Sequence, residues 1–188
     1  PTPTRPGPTA STPATGTVRP TLPTPTSTRA ATVPPAPTGV LVEATGHVET
    51  AFATTVGGIV CAVSADGPQA RCDVETSTYA KPPAPADCHG DWAGGVLLTP
   101  QGASLSCNTD TVLADAVSGG AGTWWESLPA ARMVTRADGR QEVTLATDAT
   151  VVAGSGATRL TCRSDGTSVT CAAGSARFTV SSTSYSLR

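Results

Sequence analysis

"GGIVCAVSADGPQARCDVE", residues 57–75, decides the fold. Cys61 and Cys72 flank Asp66-Gly67, and Asp-Gly is a favoured two-residue hairpin turn. Folding about that pair sets Cys61 opposite Cys72, Ile59 opposite Val74 and Val63 opposite Ala70. Side chains alternate along a strand, so these six share one face while Ser64, Arg71 and Asp73 take the other. The register that joins the sulfurs thus also gathers the apolar side chains. Pro68 has no N–H to close a two-residue turn. A wider loop with the same pairing beyond it is the expectation.

A second stretch, "RLTCRSDGTSVTCAA", repeats the device. A turn at Gly166-Thr167 has Gly first, as a type II′ turn prefers, and places Cys162 opposite Cys171. The remaining pair, Cys88 and Cys107, brackets "HGDWAGGVLLTPQGASLS" and falls to a third hairpin turning at "TPQGA". Six cysteines allow fifteen connectivities. Nearest-neighbour pairing is the reading adopted, and it leaves the other connectivities open. Zinc knuckles at C-x2-C or C-x4-C spacing do not occur, nor does a C-x-x-C redox pair. No metal and no cofactor is therefore expected at these thiols.

Outward from the hairpins, short runs rich in Val, Thr and Ile alternate with turn signals such as "TPQGAS", "RADGRQ" and "GSGA". Many short strands at this spacing predict an all-β fold. The expected architecture is a small, disulfide-stapled antiparallel sandwich or barrel-like domain. Only "DTVLADAV" offers a short helix.

The N-terminal region is different. Residues 1–38 hold eleven of the seventeen Pro and twelve Thr, with almost no large apolar side chain. Pro fixes φ and removes donors, and nothing here offsets the ordering entropy of a fold. Residues 1–44 read as a disordered, extended Pro/Thr-rich spacer, and Thr/Pro-rich stalks are common O-glycosylation substrates. Residues 45–188 read as the folded head. The chain has 188 residues and does not begin with Met, so it reads as a mature or excised piece of a longer product. No apolar run is long enough for a membrane span or signal core. A net charge of −2 argues against a general nucleic-acid or anionic-membrane binder. Even cysteine numbers suggest bridges in an exported chain.

The landmarks resemble a family of exported actinobacterial proteins that carry a six-cysteine domain of unknown function. Its members show phrases like "F-x-T/S-P-S-G-N-I-x-C", "R-C-D-I", "C-x-x-D-W-G", "C-x-G-D-T" and "C-x-S-x-x-G-V-T-C". A "G-x-G-F-x-x-S" phrase follows near the end. Here the corresponding stretches are "FATTVGGIVCAV", "RCDV", "CHGDWAGG", "CNTDTVL", "CRSDGTSVTC" and "GSARFTVSS". The resemblance spans Phe52 to Leu187, with an apparent insertion near 115–141. It implies export, often behind a signal peptide, lipid anchor or membrane segment. It names no catalytic residue.

Few side chains suggest chemistry. "DCHGDW" places Asp87, His89 and Asp91 near one another, a set that could hold a metal or act as base and orienter. On a Gly-containing loop, however, Asp mostly makes local turn hydrogen bonds. Trp92 reads as core beside the second bridge. Asp110 and Asp115 could pair for glycoside hydrolysis, but Asp110 equally suits a turn or cap. Ser155 in "AGSGA" lacks nucleophile-elbow spacing, and His47 has no evident partner. "GTWWESLP" is the best surface candidate. On a strand, Trp124 and Trp125 would face opposite ways, one buried and one presented as a binding platform. The bland alternative is that the pair covers the end of a barrel.

The expectation is a non-enzymatic exported or cell-envelope module with no catalytic residues, binding an unknown protein or cell-wall polymer. It makes no contact with nucleic acid, and this segment itself none with membrane. The alternatives are an extracellular sensor domain of a membrane protein such as a receptor kinase, and a hydrolase using Asp and His.

Overall fold

A computed structural model describes residues 39–67 and 69–188. The spacer reading of residues 1–38 lies outside the described residues. The described chain forms β1 (Leu41–Glu43), β2 (Glu49–Ala53), β3 (Ile59–Ser64), β4 (Gln69–Val74), β5 (Asp91–Thr99) and β6 (Gly102–Asn108). Then follow β7 (Ala131–Thr135), β8 (Gln141–Leu145), β9 (Thr150–Ala153), β10 (Leu160–Ser164), β11 (Ser168–Ala173), β12 (Ala176–Ser181) and β13 (Tyr185–Leu187). Helical structure among the described residues is limited to short 3-10 turns at Ala121–Thr123 and Gly156–Thr158. The fold is all-β.

The strands make two sheets, ordered β1-β9-β10-β11-β12-β13 and β6-β5-β4-β3-β2-β8-β7. One buried cluster draws on both: Phe52, Ile59, Val63, Val96, Leu98 and Leu145 from one, Val42, Val151, Leu160, Phe178 and Val180 from the other. This is a sandwich. Fully burying each such side chain contributes roughly 1.5–3 kcal/mol.

The opening hairpin has the expected register, with Ile59–Val74, Cys61–Cys72 and Val63–Ala70 paired. The ladder's last pair is Ser64–Gln69, so the loop is wider than two residues. In the β10–β11 hairpin Cys162 pairs with Cys171, and Gly166 turns at φ 93°. Disulfides join Cys61–Cys72, Cys88–Cys107 and Cys162–Cys171. The first and third are direct cross-strand links buried in the shared core, with Cα–Cα distances of 4.0 and 4.1 Å. The second is different. Cys107 faces Trp92 across the β5–β6 hairpin, and Cys88 lies in the loop before β5, at a Cα–Cα distance of 5.7 Å. It ties an incoming loop to a strand end. Three bridges fit an oxidising setting outside the cytoplasm.

Three expectations need correction. The sheets are mixed rather than purely antiparallel: β1 runs parallel to β9, and β2 meets β8 in parallel at Ala53–Thr144. The folded part also begins before residue 45. β1 lies inside the segment assigned to the spacer, because Val42 is fully buried and Leu41, Val42 and Glu43 pair with Thr150, Val151 and Val152. Finally, Trp124 and Trp125 are not on a strand but in the turn after Ala121–Thr123.

The two sheets differ on their outer faces. β10 to β12 alternate buried and more exposed residues, as expected of a sheet wetted on one side. β2 and β3 are buried on both faces. The reason is a second small cluster, in which Ala51, Ala53, Val60 and Ala62 pack under Val112 and Ala116. The segment after β6 thus lies over the outside of the seven-stranded sheet.

Candidate functional site

Where that cover meets the sheet, a cleft of about 370 Å³ opens. Its lining includes Asp73, Glu75, Asp91, Gly94, Asn108 and Asp110. Each arrives there for a local reason. Asp73 follows Cys72 on β4, so it points away from the bridge and onto the outer face. β5 carries a bulge between Trp92 and Val96, with Ala93 at φ 57°. The Tyr79 hydroxyl donates to the Ala93 carbonyl at 3.0 Å. Glycine at 95 is a steric requirement. A Cβ on Gly95 would lie 2.7 Å from Asp73 Oδ1 and collide with the Cys72 carbonyl oxygen. A Cβ on Gly94 would meet only the exposed Asp91 carboxylate, which would have to swing aside.

Asp73 is almost fully buried yet well satisfied. It accepts from Arg71 Nε and Nη2, both at 2.9 Å, from Asn108 Nδ2 at 3.0 Å and from the Val112 amide at 3.0 Å. A buried carboxylate needs such partners, because leaving one unpaired is costly. Arg71 reaches onward, donating to Asp110 Oδ1 and to the Asp110 carbonyl, each at 2.6 Å. Hydrogen bonding from Arg71, and then its charge, holds the Asp110 carboxyl below its ordinary range. Lys81 pairs with Asp91 at 3.2 Å. Glu75 is exposed and has no ion-pair partner among the described residues. Four carboxylates therefore meet two cations, and the cleft keeps a negative excess.

The other candidates do not converge on it. Asp87 and His89 are exposed on the loop before β5, and neither lines the cleft. Asp91 joins Asp110 there, but each is paired to its own cation. Asp115 does not line the cleft but lies within Coulombic reach of Arg71, Asp110 and Asp73. Burial raises its pKa, and the Glu49 carboxyl is raised by burial and then by the charge of Asp115. Ser155 is exposed beside a 3-10 turn. No group of three or more His, Cys, Asp or Glu among the described residues is arranged to hold a metal. Trp92 is half-buried rather than core, its indole donating to the Pro82 carbonyl at 2.9 Å.

The Trp pair is divided. Trp125, offered as binding surface, is fully buried and donates Nε1–H to the Ala51 carbonyl at 2.9 Å. It is core: the ring packs in the buried cluster that the two sheets share. Trp124 remains half-exposed. It stacks on His47 at 3.5 Å with the rings 3° from parallel, and donates to Thr50 Oγ1 at 3.0 Å. The acidic cleft itself was not anticipated from sequence. Its one signal was the alternation of Arg71 and Asp73 around Cys72 in "ARCDVE".

No protein-family model, curated protein or solved structure matches this chain.

Proposed function

We propose that the chain is a non-enzymatic, exported binding module, and that its acidic cleft receives an ammonium or guanidinium group of a protein or cell-wall partner. The six-cysteine resemblance and the oxidising setting of three disulfides support export. The observation that carries the binding reading is the negative excess of the cleft, with Glu75 unpaired at its edge. A non-catalytic role is favoured by how the acids are held. Asp110 is kept ionised by Arg71, which opposes service as a general acid near neutral pH. No histidine lines the cleft beside it.

The test is a binding screen of the whole chain against cell-wall fragments and amine-bearing glycans and peptides. Wild type is compared with Glu75→Gln and Asp91→Asn, two exposed substitutions that leave the buried Asp73 clamp intact. Binding of a cationic ligand that weakens in both variants, and weakens as salt rises, supports the reading. Equal binding by all three proteins, or preference for anionic ligands, rejects it.

A further inference from the structure

The chain has three Asp-Gly pairs at turns: Asp66-Gly67, Asp138-Gly139 and Asp165-Gly166. Aspartate before glycine is open to an intramolecular reaction, since glycine adds no side chain to hinder it. The glycine amide nitrogen bonds to the aspartate side-chain carboxyl carbon. The carboxyl hydroxyl leaves with the amide proton as one water, and a five-membered succinimide remains. Water then adds back and breaks one of the two ring C–N bonds. Opening at the side-chain carbonyl restores aspartate. Opening at the main-chain carbonyl gives isoaspartate, with the backbone running through the former side chain. Nothing is oxidised or reduced, and water is the only co-reactant. The reaction needs a carboxyl that can take up a proton, an uncommitted amide nitrogen and room to bring them together.

The three turns differ in how the carboxylate and the glycine amide are held. Asp165 Oδ1 accepts from the amides of Thr167 at 2.9 Å and Ser168 at 2.6 Å, and from Thr167 Oγ1 at 3.0 Å. Its Oδ2 accepts from Ser168 Oγ at 2.7 Å, and the Gly166 amide donates to Ser164 Oγ at 3.0 Å. These bonds, led by the Ser168 hydroxyl, lower the Asp165 pKa to about 2. At the second turn Asp138 Oδ1 accepts from the Arg140 amide at 2.9 Å, and the Gly139 amide donates to the Arg136 carbonyl at 2.9 Å. The first turn has neither lock. Asp66 and Gly67 are exposed beyond the Ser64–Gln69 pair. Among the described residues the Asp66 carboxylate accepts no hydrogen bond and the Gly67 amide donates none.

We infer that Asp66 is a site of spontaneous isoaspartate formation in the folded protein, and that hydrogen bonding shields Asp138 and Asp165. The inserted backbone carbon falls outside the ladder, whose register the Cys61–Cys72 bond already fixes. The fold therefore survives the change, and modified molecules accumulate instead of unfolding.

The experiment incubates the folded, oxidised protein in heavy-oxygen water at mildly acidic pH, where part of the carboxyl is protonated, and follows label uptake by peptide mapping. A reduced and denatured sample is run alongside, with Asp66→Glu as a third arm, because glutamate would have to close a larger and slower-forming ring. Expected is label and isoaspartate at Asp66 in the folded protein, background at Asp138 and Asp165, label at all three in the unfolded chain, and loss of the residue-66 signal in the variant. Two results overturn the inference. One is Asp138 or Asp165 labelling as fast as Asp66 in the folded protein. The other is an unlabelled Asp66 when the unfolded chain labels at every site.

Discussion

Trp125 loses all solvent contact and gives its indole proton to the Ala51 carbonyl, whereas its neighbour Trp124 keeps one side towards water against His47. Truncating a buried aromatic side chain removes its transfer free energy and leaves a cavity, at a cost of about 3–5 kcal/mol. Trp125→Ala is thus expected to lower the chemical-denaturation midpoint strongly, with Trp124→Phe shifting it far less. Equal shifts would mean the ring is not where it is placed here. The carboxylates make a second prediction at this scale. Glu49 has a folded pKa above its ordinary value, because burial and then Asp115 disfavour its charge. The folded state therefore holds that proton more tightly than the unfolded one, and stability is lost as pH rises through the folded pKa. Glu49→Gln should raise the melting temperature at neutral pH. The gain should vanish below about pH 4, where glutamate is protonated in both states. Asp165 works in the opposite sense. Its contribution is present above the ordinary aspartate range and is lost as pH falls towards about 2. Melting curves of Glu49→Gln across pH that parallel wild type would refute the assignment.

Hairpins were legible because their information is local. Within "IVCAVSADGPQARCDV" the turn residues, the alternation and the cysteine spacing all specify one register, so Cys61–Cys72 could be read with no partner strand in view. The same held for Cys162–Cys171 around Gly166. The third bridge was paired correctly by neighbourhood, but its geometry was not legible, because Cys88 sits outside any strand. Parallel pairings were invisible for a related reason. β1 finds β9 more than a hundred residues later, and nothing in "LVE" names its partner. Its three residues, coming soon after the last prolines of the spacer, looked like linker. The cleft was hidden as well. It needs Gly95 on β5 to leave space beside Asp73 on β4, and Asn108 on β6 to reach that carboxylate, three elements whose order in the sheet no short-range pattern encodes.

For the molecule as a whole, the question is what makes a sandwich with so few large apolar side chains stable. Only 4% of the residues are aromatic, and the second cluster is built mainly of alanine and valine. On the outer face two buried carboxylates, Asp73 and Glu142, sit in arginine clamps formed by Arg71 and by Arg136 and Arg140. Such clamps fix which loops dock where, but a buried ion pair is weak evidence of net stability, since desolvation offsets much of the attraction. The disulfides add a further contribution to that of the core. They span 11, 19 and 9 residues, and loops of that length each contribute about 3 kcal/mol in the chain-entropy account. Together that is comparable with the whole stability of an ordinary domain, about 5–15 kcal/mol. Reduction under otherwise native conditions is therefore expected to abolish the near-ultraviolet signal of the buried Trp125 and to leave a chain that unfolds at far lower denaturant. The two cross-strand bridges lie inside the core, so their reduction must await opening of the sandwich, while Cys88–Cys107 lies at its margin and should be reduced first. Time-resolved thiol labelling with mass detection reads both the order and the collapse. A fully reduced protein with the same denaturation midpoint as the oxidised one would show that packing alone carries the fold.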